Sequence, residues 1–162
     1  MGGGAGPGSG RPALSMVDVT GKREQVRIAE ARGFLRLSEE GVEALRRRES
    51  HPEGKGDPIE AARLAAMLAV KRTPELVPHC HPVRITGVDV DVEVKEDGAE
   101  MTVRVKSVGR TGVEMDALTG LVVGLVTLWD MVKYAEKDEE GRYPHTRIED
   151  VRVVRKVKRD VG

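Results

Sequence analysis

The chain has 162 residues, with 39% apolar side chains and 27 basic residues balanced by 27 acidic ones. The length suits one domain around one core, and the balanced charge gives no general pull towards nucleic acid or an acidic membrane. One Trp, two Tyr and one Phe are too few for a module that stacks successive bases on aromatic rings, so the core must be built from Val, Leu, Ala and Met.

Residues 1–14 are rich in Gly and Pro, lack the apolar run of a secretory signal, and read as a flexible tail. Residues 15–160 read as a single domain. Over 27–37, a β-like alternation around Ala29, Ala31, Gly33, Leu35 and Leu37 predicts a strand. Ser38 is placed to cap a short helix over 38–47. After the polar loop ESHPEGKG, the run Asp57-Pro58-Ile59-Glu60 predicts a strong helix start, because Asp57 can cap and Pro58 suits the first turn. Pro74 predicts an end near residue 71. Val88, Val90, Val92 and Val94, then Met101, Val103 and Val105, alternate with polar residues. They predict a hairpin turning at Asp97-Gly98.

Leu118, Leu121, Val122, Leu125, Leu128, Trp129 and Val132 follow helical spacing and predict a helix over 114–136. Its longest uncharged stretch, 117–129, is too short to span a bilayer. Residues 147–158 are Val-rich and predict a last strand. The order is that of an α+β protein, a ferredoxin-like βαββαβ sandwich with helices on one face of an antiparallel sheet. The helix over 114–136 has an apolar stripe centred near Leu125 and an opposite face, from Asp116 through Thr119, Val123, Val126 and Thr127 to Asp130, with no charge at its middle. Gly120 and Gly124 lie one turn apart on it. Both features point to a subunit interface, tight packing within one chain being the alternative. Asp116 and Asp130 share a face but are roughly 21 Å apart along the axis, too far for one compact site.

Three segments carry residues with chemical potential. The first runs from Lys71 and Arg72 through Pro78-His79-Cys80-His81-Pro82 and reads as extended and stiff between its prolines. It can be a substrate-contacting loop, a structural loop or a source of metal ligands, although no second cluster with zinc spacing accompanies it. Its Cys80 is the chain's one cysteine, as expected in a reducing cytoplasm. The second segment, from Gly109 and Arg110 to Thr119, contains Met115 and Asp116 and leads a strand into a helix N-terminus that can hold an anion or simply carry acidic residues favourable to the helix dipole. In the third, Asp130 and Lys133 are three apart on a helix and can form either a surface ion pair or an acid–base pair. Lys55, Lys71, Arg72 and Arg110 add the cations that a triphosphate requires.

Taken together, MVDVT (16–20), KGD (55–57), AVKRTPELVPHCHP (69–82), TGVEMDALTG (111–120) and WDMVK (129–133) resemble the MoaC family, the cyclic pyranopterin monophosphate synthases of molybdenum cofactor biosynthesis. The resemblance covers residues 16–158. It implies a ferredoxin-like lyase that converts a cyclic dihydroguanosine triphosphate into cyclic pyranopterin monophosphate and releases pyrophosphate, in the cytoplasm. It further implies a hexamer, a trimer of dimers, with active sites between subunits. Asp130 and Lys133 match the family's catalytic pair, with Lys55 a further catalytic lysine. His79, Cys80 and His81, together with Met115 and Asp116, match its substrate-binding stretches, and Lys71, Arg72 and Arg110 join them as substrate cations. No resident cofactor or metal is implied, although Mg²⁺ can accompany the triphosphate. No nucleic-acid or membrane partner is implied.

The sequence departs from the family pattern in four places. His79 stands where Leu is usual, Asp116 replaces Glu, Val132 replaces a common Cys, and a Gly- and Lys-rich tail is missing after Val154. An RNA-binding ferredoxin-like module and a ligand-sensing domain are the competing classes. The first is disfavoured by the missing sheet aromatics.

Overall fold

The computed structural model of the chain describes residues 14–52 and 54–162. The tail expected over 1–14 lies outside the described residues except for Leu14. The elements are β1 (Gln25–Arg36), α1 (Glu39–Arg46), α2 (Pro58–Leu76), β2 (Arg84–Lys95), β3 (Gly98–Gly109), α3 (Glu114–Glu136) and β4 (Arg147–Asp160). The four strands form one antiparallel sheet in the order β2-β3-β1-β4. This is the ferredoxin-like topology, with helices on one face and the short α1 added to the first crossover.

Strand alternation decides which face is dry. On β1, Ala29, Ala31 and Leu35 point to the helices, and on β3 so do Met101, Val103 and Val105. They meet Leu121, Leu125, Leu128 and Val132 of α3 and Ala62, Ala66 and Val70 of α2. The other face is charged. There Glu30 is buried among basic neighbours, 2.9 Å from Arg104 and 3.4 Å from Arg32. By length and composition α3 could cross a membrane, but half of its apolar window is buried inside the fold, as befits a core helix.

The caps follow the sequence reading. The Ser38 hydroxyl accepts the Gly41 N–H, and the Asp57 carboxylate accepts the N–H groups of Ile59 and Glu60. Three expectations are corrected. First, α2 does not stop near residue 71 but runs to Leu76 with Pro74 inside it. A proline there removes the N–H that would bond the Val70 carbonyl. The buried Thr73 hydroxyl takes its place, 3.0 Å from that carbonyl and 3.0 Å from that of Ala69. Second, the hairpin loop is Glu96–Asp97, and Gly98 already pairs with Lys95. Any Cβ at Gly98 would run into the backbone carbonyl of Leu35, so the glycine serves a close approach of strands. Third, Gly120 and Gly124 do not face another subunit. A Cβ on Gly120 would lie 2.6 Å from Val70 and 3.0 Å from the Ala66 carbonyl, and one on Gly124 2.6 Å from the Met101 sulfur. The close approach is between α3 and its own α2 and sheet.

Thr73→Val keeps the shape of the side chain but leaves the Val70 carbonyl without a donor. It should lower unfolding stability by about 1–2 kcal/mol, read from the urea midpoint with the slope unchanged.

Candidate active site

The chemistry-bearing residues gather at the two ends of α3. At its N-terminal end β3 delivers Gly109 and Arg110, and the chain turns into the helix at Val113. Arg27 sits at an inward position of β1 with only 9% of its surface exposed. Its guanidinium donates to the carbonyls of Gly109 (3.5 Å) and Arg110 (3.3 Å), fixing this junction. Glu114 pairs with Lys156 of β4 at 2.5 Å. Burial pushes the Glu114 carboxyl up, but Lys156, the helix backbone and Arg27 outweigh it and hold the group below its usual range.

Asp116 is different. It is 1% exposed, and burial, with Glu114 adding repulsion, pushes its carboxyl up from 3.8 to about 6. Among the described residues two buried side-chain oxygens lack a hydrogen-bond partner, Ser107 Oγ and Asp116 Oδ2, and both belong to the β3–α3 junction. Cys80 lies near Asp116. Burial, then the Asp116 charge, raises its thiol above the ordinary value, which makes it a poor nucleophile.

The His79–His81 segment is not a stiff extended run. Lys71 and Arg72 are on the last turns of α2, and the Cys80 N–H closes a turn on the Val77 carbonyl at 3.0 Å. The proline after Val77 begins that turn and does not extend the chain. His79 is exposed, while His81 is half-buried with Nε2 2.5 Å from the Val17 carbonyl. His81 and Arg110 line one cleft of about 630 Å³ together with Met16 and Val19. The MVDVT segment therefore belongs to this end of the helix. Met115 is 48% exposed beside it.

At the other end of α3, Lys133 Nζ lies 2.7 Å from Asp130 Oδ1, and Lys55 Nζ lies 4.0 Å from Oδ2. Lys55 arrives on a loop shaped by Gly54 (φ +79) and Gly56 (φ +91), with its N–H on the Ser50 hydroxyl at 2.9 Å. The Lys133 hydrogen bond and charge, helped by Lys55, hold the Asp130 carboxyl below its usual range. The same pairing raises the Lys133 ammonium. Both groups are substantially exposed, so the pair adds little to stability. Lys71 and Arg72 are exposed, and neither pairs with a carboxylate among the described residues. Asp116 and Asp130 remain at opposite ends, as the helical spacing predicted. They differ in burial, because the 77–83 segment approaches Asp116 while Asp130 faces outwards.

Sequence reasoning missed Arg27 and Glu114. Arg27 carried a signal, since it falls in the apolar phase of its strand. Among the described residues no group of three or more His, Cys, Asp or Glu converges to hold a metal ion.

The fold is that of a ferredoxin-like α+β domain with two polar clusters at the ends of α3. The chain belongs to the MoaC family, whose sequence profile matches residues 16–158. It is 77% identical over 149 residues to a probable cyclic pyranopterin monophosphate synthase of Methanopyrus kandleri, covering 92% of this chain and 96% of the relative. Proteins of the same name from Methanococcoides burtonii and Methanosarcina acetivorans are 53% and 51% identical, over 90% and 88% of this chain and 90% and 89% of the relatives.

The buried Asp116 makes stability depend on pH with a definite sign. Its folded value lies above its unfolded one, so the native state holds the proton more tightly. Stability is therefore greatest below pH 3.8 as far as this group is concerned, and falls as pH rises towards 6. The loss should be on the order of 2–3 kcal/mol. Denaturant melts from pH 4 to pH 7 should show it, and Asp116→Asn should remove it and be the more stable protein at pH 7.

Proposed function

We infer that the chain converts (8S)-3′,8-cyclo-7,8-dihydroguanosine 5′-triphosphate to cyclic pyranopterin monophosphate with release of pyrophosphate, a lyase step of molybdenum cofactor biosynthesis. Family membership and relatives of that name over nine-tenths of the chain support the reaction. The observation that carries the residue assignment is the convergence of Lys133 and the sequence-distant Lys55 on the exposed Asp130 carboxylate.

With its carboxyl held low, Asp130 is ionised at neutral pH and can accept a proton, while the Lys133 ammonium can return one. This pair moves protons during opening and rearrangement of the guanine-derived ring. Lys55, Lys71, Arg72 and Arg110 hold the triphosphate and stabilise charge on the departing pyrophosphate. At the other end of α3, the unpartnered oxygens of Asp116 and Ser107 suit the N–H edge of that ring, with His79, Cys80, His81 and Met115 around it. No resident cofactor takes part, and Mg²⁺, where present, arrives with the triphosphate. The chain works in the cytoplasm.

The two ends of α3 serve one substrate when a second copy completes the site. Val126 on the uncharged face and Val122 beside it are 52% and 39% exposed, midway between Asp116 and Asp130. A two-fold axis near residue 123 would bring the Asp116 end of one chain to the Asp130 end of the other. Three such dimers make the hexamer.

Asp130→Ala should reduce pyrophosphate release by at least about a hundredfold while its thermal midpoint stays near that of the native chain, and near-native turnover would reject the assignment. Light scattering across dilution should give a mass above that of one chain. Val126→Glu should move it towards monomer and lose activity in step, whereas a native monomer would reject the shared site.

A further inference from the structure

Three of the chain's four aromatic side chains, Trp129, Tyr134 and Tyr143, lie at the Asp130 end of α3. Trp129 meets Tyr143 edge-on, with ring centroids 5.2 Å apart. Tyr134 meets a ring from a distant part of the chain, His51, with centroids 5.8 Å apart and planes at 78°. His51 belongs to the polar loop ESHPEGKG and stands four residues before Lys55. Tyr134 stands four residues after Asp130, so those two share a face of α3. The loop therefore touches one helix face twice, through His51 on Tyr134 and through Lys55 on Asp130 at 4.0 Å, and it runs antiparallel to the helix.

Inside the loop, the backbone of Lys55 is tied to the residues around His51. The Gly54 N–H donates to the His51 carbonyl at 2.7 Å, and the Lys55 N–H to the Ser50 hydroxyl at 2.9 Å. The base of the loop is closed by Arg48, whose guanidinium lies 3.0 Å from the Asp57 carboxylate that caps α2. Pro52 keeps His51 out of the helical region. Gly54 and Gly56 hold positive φ on either side of Lys55, and glycines leave the most backbone freedom to be lost on ordering. The Lys55–Asp130 pair is weak as a restraint, because its side chains are 44% and 52% exposed. The ring contact is better placed for that task. Both of its members are half-buried, and Tyr134 packs against the core. The proton-transfer chemistry described above uses neither ring.

We propose that His51 is a positioning residue for the reaction: docked on Tyr134, it lays the loop along α3 and holds Lys55 beside Asp130. The inference rests on the reading of Lys55 and Asp130 as members of one reacting site. His51 acts through the hydrogen bonds that join residues 50 and 51 to 54 and 55.

Two substitutions isolate the ring. His51→Ala removes it, and His51→Phe keeps a ring against Tyr134. For each, kcat/KM is measured in the full chain, with Lys55 present and with Lys55→Ala, well below the thermal midpoint of every variant. His51→Ala should lower kcat/KM about 3- to 10-fold, the range one edge-to-face contact can supply. His51→Phe should stay within about twofold of the native chain. In the Lys55→Ala background His51→Ala should have no further effect, because a positioning residue then has nothing to position. Hydrogen exchange of the Gly54 and Lys55 amides, followed by NMR without substrate, should quicken in His51→Ala and return in His51→Phe. Equal losses with and without Lys55, unchanged exchange in His51→Ala, or a Phe variant as impaired as Ala each overturn the inference. Native kcat/KM in Lys55→Ala alone would overturn the reading of Lys55 first, and the positioning role with it.

Discussion

The molecule is organised by the packing of α3 against α2 at two glycines. Each glycine weakens an isolated helix by about 1 kcal/mol relative to alanine. Here the missing Cβ atoms admit the Ala66 carbonyl and Val70 at Gly120 and the Met101 sulfur at Gly124. That contact fixes the roll of α3 about its axis. With the roll fixed, Leu121, Leu125, Leu128 and Val132 meet the sheet and α2, Val122 and Val126 are left at the surface, and each helix end is directed at a particular set of loops. A side chain at either glycine would change all three at once.

The two ends then acquire opposite characters from one rigid rod. The N-terminal end is dry. The helix dipole favours a carboxylate there, but burial of Asp116 outweighs it and its proton is retained to about pH 6. The C-terminal end is wet. Lys133 in the last turns complements the dipole, and its pair with Asp130 stays accessible to solvent. Polar atoms left unsatisfied in a dry place are suited to recognition, because a ligand that bonds them removes a desolvation penalty. An exposed carboxylate held ionised by an ammonium is suited to moving protons. That contrast in environment supports the proposed assignment of recognition to Asp116 and acid–base work to Asp130.

Elements governed by local periodicity were legible in the sequence. Helix 114–136 was readable to its ends, as were the Ser38 and Asp57 caps and the βαββαβ order, because spacing and capping are local properties. The misreadings share one cause, in that a distant or neighbouring group overrode a local rule. Pro74 ends most helices, but a threonine beside it supplied the missing donor. Gly120 and Gly124 signalled close approach correctly, yet spacing could not say whose backbone approached. The His79–His81 run was read from its prolines alone, and the turn closed by Val77 and Cys80 depends on where α2 stops. The Lys55–Asp130–Lys133 cluster was legible through its motifs, whereas Tyr143 sits in a polar loop with no pattern around it. Only the fold brings its ring onto Trp129.

The exposed valines on α3 connect the two ends. Residue 123 lies halfway between 116 and 130, and the exposed Val122 and Val126 flank it. In the proposed isologous pairing across that point, the axis would exchange the ends of the two helices and bring the buried Asp116 end of one chain to the Asp130–Lys133 pair of the other. The roughly 21 Å that separates Asp116 from Asp130 within one chain then becomes the spacing between two identical sites and no longer the span of one. The glycines take part in this as well. By drawing α3 into its own subunit on one side, they leave Val122 and Val126 exposed on the opposite side, and that is the surface the proposed pairing uses.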